Sequence, residues 1–168
     1  MKLHSLEELF CEQLRDVFDA EKQLIKALPK MARAATADEL RQAFEEHLDQ
    51  TRGHVERLER VFELFGKKMR GKNCEAMKGL IEEGEDMIDA DAEPMVRDAG
   101  LIAAAQRVEH YEMAAYGCLQ TWARQLGNHE AADLLEHTLH EEKETDHKLT
   151  QLAESLVNLA AQHQVHHA

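Results

Sequence analysis

The stretch Leu101–Leu119, LIAAAQRVEHYEMAAYGCL, decides the fold. Read at helical period, Leu101, Ile102, Ala105, Met113, Tyr116 and Leu119 make one largely apolar face. Glu109 and Glu112 fall inside that face, because 105–109–112–116 advances by threes and fours. An ionised carboxylate in a helix–helix core is costly unless it is paired or bound to a cation. One such residue could be half of a salt bridge, but two a turn apart point to partners elsewhere in the chain.

The composition fits helices. The chain has 168 residues with two prolines, eight glycines and 32% charged residues, and it is poor in aromatics, so a single all-α domain is expected. No apolar run is long enough for a membrane span, and MKLHSLEELF lacks the apolar core of a signal peptide. Twenty basic against 33 acidic residues give a net charge of −13, which repels phosphate backbones and argues against nucleic acid. Cys11, Cys74 and Cys118 are odd in number and show no paired spacing, which suits buried thiols in a reducing cytoplasm.

Working outward, Ser5-Leu-Glu-Glu8 reads as a capping box opening a first helix. Its apolar stripe includes Glu21, and Pro29 should bend or end it, with weaker helix to Ala35. Thr36-Ala-Asp-Glu39 reads as a second capping box, and Gly66 as the stop of a helix ending near Phe65. The face of that second helix is Leu40, Phe44, His47, Thr51, His54, Leu58, Val61 and Phe65, apolar at both ends and polar in the middle. A basic loop, residues 66–73, precedes a short helix capped by Asn73 and ending near Asp89. Pro94 suits the first turn of a fourth helix to Leu126, and Gly127-Asn128 separates it from a fifth with Glu142 and Asp146 in its stripe. The domain is expected to span residues 1–160, and the tail 161–168, with its histidines, to be disordered.

Glu21 and Glu109 occupy matching places 88 residues apart, and Leu58, Val61 and Phe65 match Leu149, Leu152 and Leu156 at an offset of 91. Two helical hairpins joined by a crossover containing the short helix make a ferritin-like, up-down four-helix bundle. Helices of about 30 residues, roughly 45 Å long, then bring Glu21, His47, Gln50, His54, Glu109, Glu112, Glu142 and Asp146 to one level. Carboxylate-rich sets with imidazoles are how such bundles hold two iron or manganese ions. Each group also has an ordinary reading: a surface ion pair for Glu21, hydrogen-bonded core residues for the histidines, a flank of the charged run HEEKETDH (140–147) for Asp146. Tyr111 and Tyr116 lie near enough to be radical or hydrogen-bond partners, with packing the simpler role.

These residues also carry a resemblance. LRDVFDAEKQLIKALPKMA (14–32), HLDQTRGHVERL (47–58), NCEAMKGLIEE (73–83), VRDAGLIAAAQRVEHYEMAAYG (96–117) and LHEEKETDHKL (139–149) resemble the YciE/YciF-type ferritin-like stress proteins. The resemblance implies a cytosolic bacterial homodimer, akin to rubrerythrins, with a di-metal site. It carries over to Glu21 in AEKQ, Glu109 and Glu112 in EHYE, and Glu142 and Asp146 in EEKxxD. The second helix departs from the pattern HLEETxxQ: here Gln50 stands where a carboxylate is usual and His54 where glutamine is usual.

The expected function is that of a ferritin-like metalloprotein holding one or two iron or manganese ions, reducing peroxide or oxidising iron, with no catalytic residue beyond the ligands. The alternative is a non-enzymatic stress or scaffold protein whose polar core closes on itself without metal. No CxxC pair is present, so an oxidoreductase of peroxidase or ferroxidase type would draw electrons from another protein. Phe62, Leu64, Phe65 and Met69 exceed what one bundle face needs, which points to pairing of two chains.

Overall fold

The computed structural model describes residues 3–163. Four long helices, α1 (Leu6–Ala34), α2 (Asp38–Leu64), α4 (Pro94–Gln125) and α5 (His129–Leu152), form the bundle. The shorter α3 (Glu75–Asp89) lies in the crossover, and α5 continues through a π turn (Ala153–Val157) into α6 (Asn158–His163). No strand is present among the described residues. The long helices pack around a square in the order α1, α2, α5, α4, while α3 lies against α1 and α4. Residues 164–168, and so most of the expected tail, lie outside the described residues; Ala161–His163 belong to α6.

Local chemistry explains the ends. Ser5 caps α1, its hydroxyl accepting from the Glu8 amide at 3.1 Å, and Glu8 answers by accepting from the His4 amide at 2.6 Å. Pro29 does not end α1, which runs five residues further. Gly66 (φ 61°) and Gly127 (φ 79°) take the left-handed conformation that ends α2 and α4. Asn128 then caps α5 by accepting from the Ala131 amide at 3.1 Å.

Two expected caps are replaced. The Thr36 box does not form: the N-cap is Ala37, which has no side chain to offer. The cap comes instead from α4, where buried Asp98 accepts from the Thr36 amide at 2.9 and 3.1 Å and from the Ala37 amide at 2.7 Å. A carboxylate with several backbone donors satisfies the turn better than one hydroxyl does. At α3 the cap is Cys74, whose Sγ accepts from the Met77 amide at 3.4 Å, while Asn73 turns to Glu75. Cys11 and Cys74 are buried as expected, whereas Cys118 is exposed.

The termini of these helices fix the topology. Asp98, near the start of α4, meets the α1–α2 turn, and the Asn128 side-chain amide meets Leu64 O at 3.3 Å. Thus α4 runs parallel to α2, and the crossover must traverse the length of the bundle. The core is divided in two. One apolar half gathers Phe10, Leu14, Phe18, Leu58, Phe62 and Leu119, the other Leu24, Leu28, Leu40, Phe44, Leu101 and Leu149. Phe62 belongs to this interior, Leu64 and Phe65 pack against it, and Phe65 stacks on Phe10 with ring centroids 4.4 Å apart. Of the strip expected to pair two chains, only Met69 is an exposed large hydrophobic residue.

Replacing Asp98→Ala strands two backbone amides of the α1–α2 turn. A loss of roughly 2–4 kcal/mol is expected, the cost of unsatisfied buried groups, and urea denaturation measures it. A change below about 0.5 kcal/mol, the range of ordinary surface substitutions, would show that the turn holds without its distant cap.

Candidate metal centre

Between the two apolar halves lies a polar layer one or two turns thick. α1 contributes Glu21, α2 His47, Thr51 and His54, α4 Glu109 and Glu112, and α5 Glu142, and all seven are buried. Each sits on its helix's inward face for the reason the periodicity indicated: the residues advance in threes and fours with the apolar positions on either side.

Ligand atoms of His47, Glu109, Glu112 and Glu142 lie within 4.8 Å of one another, and those of Glu21, His54 and Glu142 form a second such group. Glu142 belongs to both. His47 Nε2 is 3.2 Å from Glu109 Oε1 and 3.9 Å from Glu142 Oε2. His54 Nδ1 is 3.0 Å from Glu142 Oε1 and 3.2 Å from Glu21 Oε1. These approaches are close but badly aimed for hydrogen bonds. Glu21 Oε2, Glu109 Oε2, both oxygens of Glu112 and Glu142, and the inward nitrogens of both histidines have no hydrogen-bond partner. The atoms thus converge as ligands of a cation would, and carboxylate oxygens with one imidazole per group suit first-row divalent ions.

The outward nitrogens are held. His54 Nε2 is 3.0 Å from Glu141 Oε2, and because a carboxylate only accepts, the ring carries its proton there. The Arg57 guanidinium also donates to Glu141, and its Nε donates to Thr138 Oγ1 at 2.9 Å. Around His47, Thr145 Oγ1 donates to Gln50 Oε1 at 3.2 Å and lies 3.4 Å from His47 Nδ1. A hydroxyl has one proton, so with that proton on Gln50 it accepts from Nδ1–H. Both rings therefore turn a nitrogen free of neutral-state protons towards the carboxylates, the arrangement by which outer partners orient metal-binding histidines. The Tyr116 hydroxyl donates to Glu21 Oε1, and Tyr111 donates outside the layer to Asp16, which also accepts from Cys74 Sγ at 3.1 Å.

Six of the eight candidates, Glu21, His47, His54, Glu109, Glu112 and Glu142, thus come together. Asp146 does not. It is partly exposed, its Oδ1 3.2 Å from Gln106 Nε2 and 3.3 Å from His110 Nε2 on α4. On α5 the inward track runs through 138, 142, 145 and 149, leaving 146 to one side. Gln50 is half-buried and reaches the layer only through Thr145, not by pointing into it. The sequence reading missed Glu141, Arg57 and Thr145. Arg57 and Thr145 each lie three residues after a candidate ligand, the spacing at which a helix places supporting side chains.

Every resolved shift within the layer is upward. Burial alone would lower His47, but the Glu109 carboxylate, followed by Glu142, more than reverses this and raises it to about 9. Burial opposes the His54 charge too, yet the Glu21 carboxylate, the hydrogen bond to Glu141 and the close approach of Glu142 push it up to about 12. Burial first, then neighbouring carboxylates, raise Glu21, Glu112 and Glu142. At the rim, Glu141 is lowered, chiefly by its hydrogen bond from His54.

The family described as a domain of unknown function, DUF892, matches residues 5–162. The chain belongs to that family. It is 50% identical to protein YciF of Escherichia coli (strain K12) over 163 residues, covering 96% of this chain and 98% of YciF. The crystal structure of the Escherichia coli stress protein YciF superposes with a TM-score of 0.90, covering 93% of this chain and 99% of that one. YcfI from Rhodopseudomonas palustris is 42% identical with a TM-score of 0.86, covering 89% of this chain and 95% of its own. A protein from Xanthomonas campestris, 22% identical over 95% of this chain and 99% of its own, shares the fold with a TM-score of 0.74. The resemblance to YciF-type proteins is thereby established. No helix among the described residues of this DUF892 chain is long and apolar enough to cross a membrane.

The upward shifts carry a sign for stability. Folding takes up protons at each such group, so metal-free protein loses stability as pH rises from the ordinary value towards the shifted one. The His47 contribution is complete below about pH 6.5 and disappears as pH passes about 9. The raised carboxylates act in the same direction from the ordinary glutamate range upwards. Chelator-treated protein is therefore expected to melt at a lower temperature at pH 9 than at pH 6. A Tm that rises over this interval would contradict the assignment of protons to the layer.

Proposed function

We propose that this chain is a ferritin-like metalloprotein whose central layer binds two iron or manganese ions, with Glu142 shared between them. The observation that carries the reading is Glu112, fully buried with neither oxygen hydrogen-bonded, beside two further carboxylates. Glu21, Glu109, Glu112 and Glu142 exceed the two imidazoles that face them, so without a cation the layer must also carry protons on its carboxylates, which burial already favours. Two divalent ions balance four carboxylates and use the unpartnered oxygens. His47, Glu109, Glu112 and Glu142 would hold one ion, and Glu21, His54 and Glu142 the other.

Such ions supply electron transfer to peroxide or oxygen when bound. The chain's own residues do the rest. Thr145 and Glu141 keep the outward imidazole protons in place, Tyr116 orients Glu21, and the apolar halves keep bulk water from the layer. Reducing equivalents come from a separate protein. The relative named a stress protein supports a role in a stress response.

A second reading, a metal-free polar core serving a structural role, is favoured by the close histidine–carboxylate pairs at 3.0–3.2 Å. Elemental analysis of untagged protein purified without chelator separates the two. About two equivalents of iron or manganese per chain are expected, and none would leave the scaffold reading. Glu142→Gln should lose both ions because it serves both groups, whereas Glu21→Gln should retain about one. Equal loss in the two variants would remove the shared role of Glu142.

A further inference from the structure

The layer is sealed along the bundle axis by the two apolar halves, and at the His54 edge by the Arg57–Glu141 pair. The larger cavities do not reach it: one of about 650 Å3 lies at the α2 and α4 ends beside Phe65 and Gly127, one of about 500 Å3 between Lys30 and Asp89, and one of about 380 Å3 on α4 beside Gln106 and His110. A smaller cavity of about 210 Å3 stops one side chain short of it, at Thr145, whose hydroxyl lies 3.4 Å from His47 Nδ1. It opens between α2 and α5, lined by Ala43, Glu46, Glu144 and Leu149 together with Gln50 and Thr145, and Thr145 is the lining residue beside His47. It has room for several water molecules.

Behind Thr145 stands the layer itself. Thr145 Oγ1 is 3.2 Å from Gln50 Oε1 on the cavity side and 3.4 Å from His47 Nδ1 on the other. The far edge of the same His47 ring carries Nε2, 3.2 Å from Glu109 Oε1. At the mouth, exposed Glu46 and Glu144 favour a cation, and Lys148 crosses it to pair with Glu46. Two rotatable side chains joined by one neutral hydrogen bond close the inner end, a weak closure beside the charged pair at the His54 edge.

We propose that the α2–α5 cavity is the route by which divalent cations enter the buried layer, with the Gln50–Thr145 hydrogen bond as its gate. This rests on the metal reading above. It assigns Gln50 a function that a ligand role does not: a neutral amide on the path lets a cation pass, whereas a carboxylate there would hold it.

Uptake of Co2+ by metal-free protein, followed by stopped-flow absorbance of its ligand-field bands, tests the route. Gln50→Ala should accelerate uptake several-fold. Gln50→Trp, or Gln50→Leu should the tryptophan variant misfold by circular dichroism, should slow it about ten-fold or more. At saturating metal each variant should still bind cobalt at the layer, because Gln50 supplies no ligand atom there. Equal rates in all variants would overturn the route while leaving the metal reading intact. Loss of final intensity without a change in rate would also overturn it, by making Gln50 a holding group. Absence of cobalt bands in the parent protein would overturn both.

Discussion

The structure depends on one constraint: four buried carboxylates must be neutralised in the middle of a bundle that is otherwise apolar. Glu21, Glu109, Glu112 and Glu142 come from three helices, and the fourth, α2, answers with two imidazoles. A pair of charges removed from water is offset only by good geometry and satisfied lone pairs. Glu112 and Glu142 make no direct side-chain hydrogen bond, so burial raises both towards the neutral form. Helix register, the choice of residues around the layer and the direction of the protonation shifts all follow from it.

The partners that surround the layer do more than fill space. α2 presents His47, Thr51 and His54, and α5, at the offset of 91 already visible as a faint repeat, presents Thr138, Glu142 and Thr145. Where one helix has an imidazole the other has a hydroxyl, and where one has a hydroxyl the other has the shared carboxylate. Two of the hydroxyls support the opposite helix: Thr145 lies beside His47, and Thr138 accepts from the arginine that steadies the carboxylate behind His54. The two groups are consequently unlike, one with three carboxylates and one with two.

Much of this was legible in the sequence because helical periodicity reports which face is inward. Glu21, Glu109, Glu112 and Glu142 stood out as charges on apolar stripes, and His47 and His54 as polar interruptions of one. Asp146 was misplaced because a four-residue step from Glu142 stays near the stripe without staying on its axis. Gln50 was read as facing the layer, yet its amide finds a nearer partner in Thr145. The Asp98 cap was invisible for another reason: the residue that satisfies Thr36 and Ala37 lies 62 and 61 positions away, and no local pattern encodes such a contact. Glu141 and Arg57 likewise reveal themselves only when two helices are set side by side.

That distant cap also bears on how the chain assembles. The first hairpin leaves the ribosome with two turn amides lacking their eventual acceptor, and with one glutamate and two histidines awaiting three glutamates still to be made. Its counterpart brings the missing carboxylates but none of the imidazoles. Although the two hairpins echo one another, neither is a module that could have stood alone in its present form. A gene duplication whose halves have since divided the labour would leave this mark: a turn in one copy closed by a side chain of the other, and a shared interior that neither copy can complete.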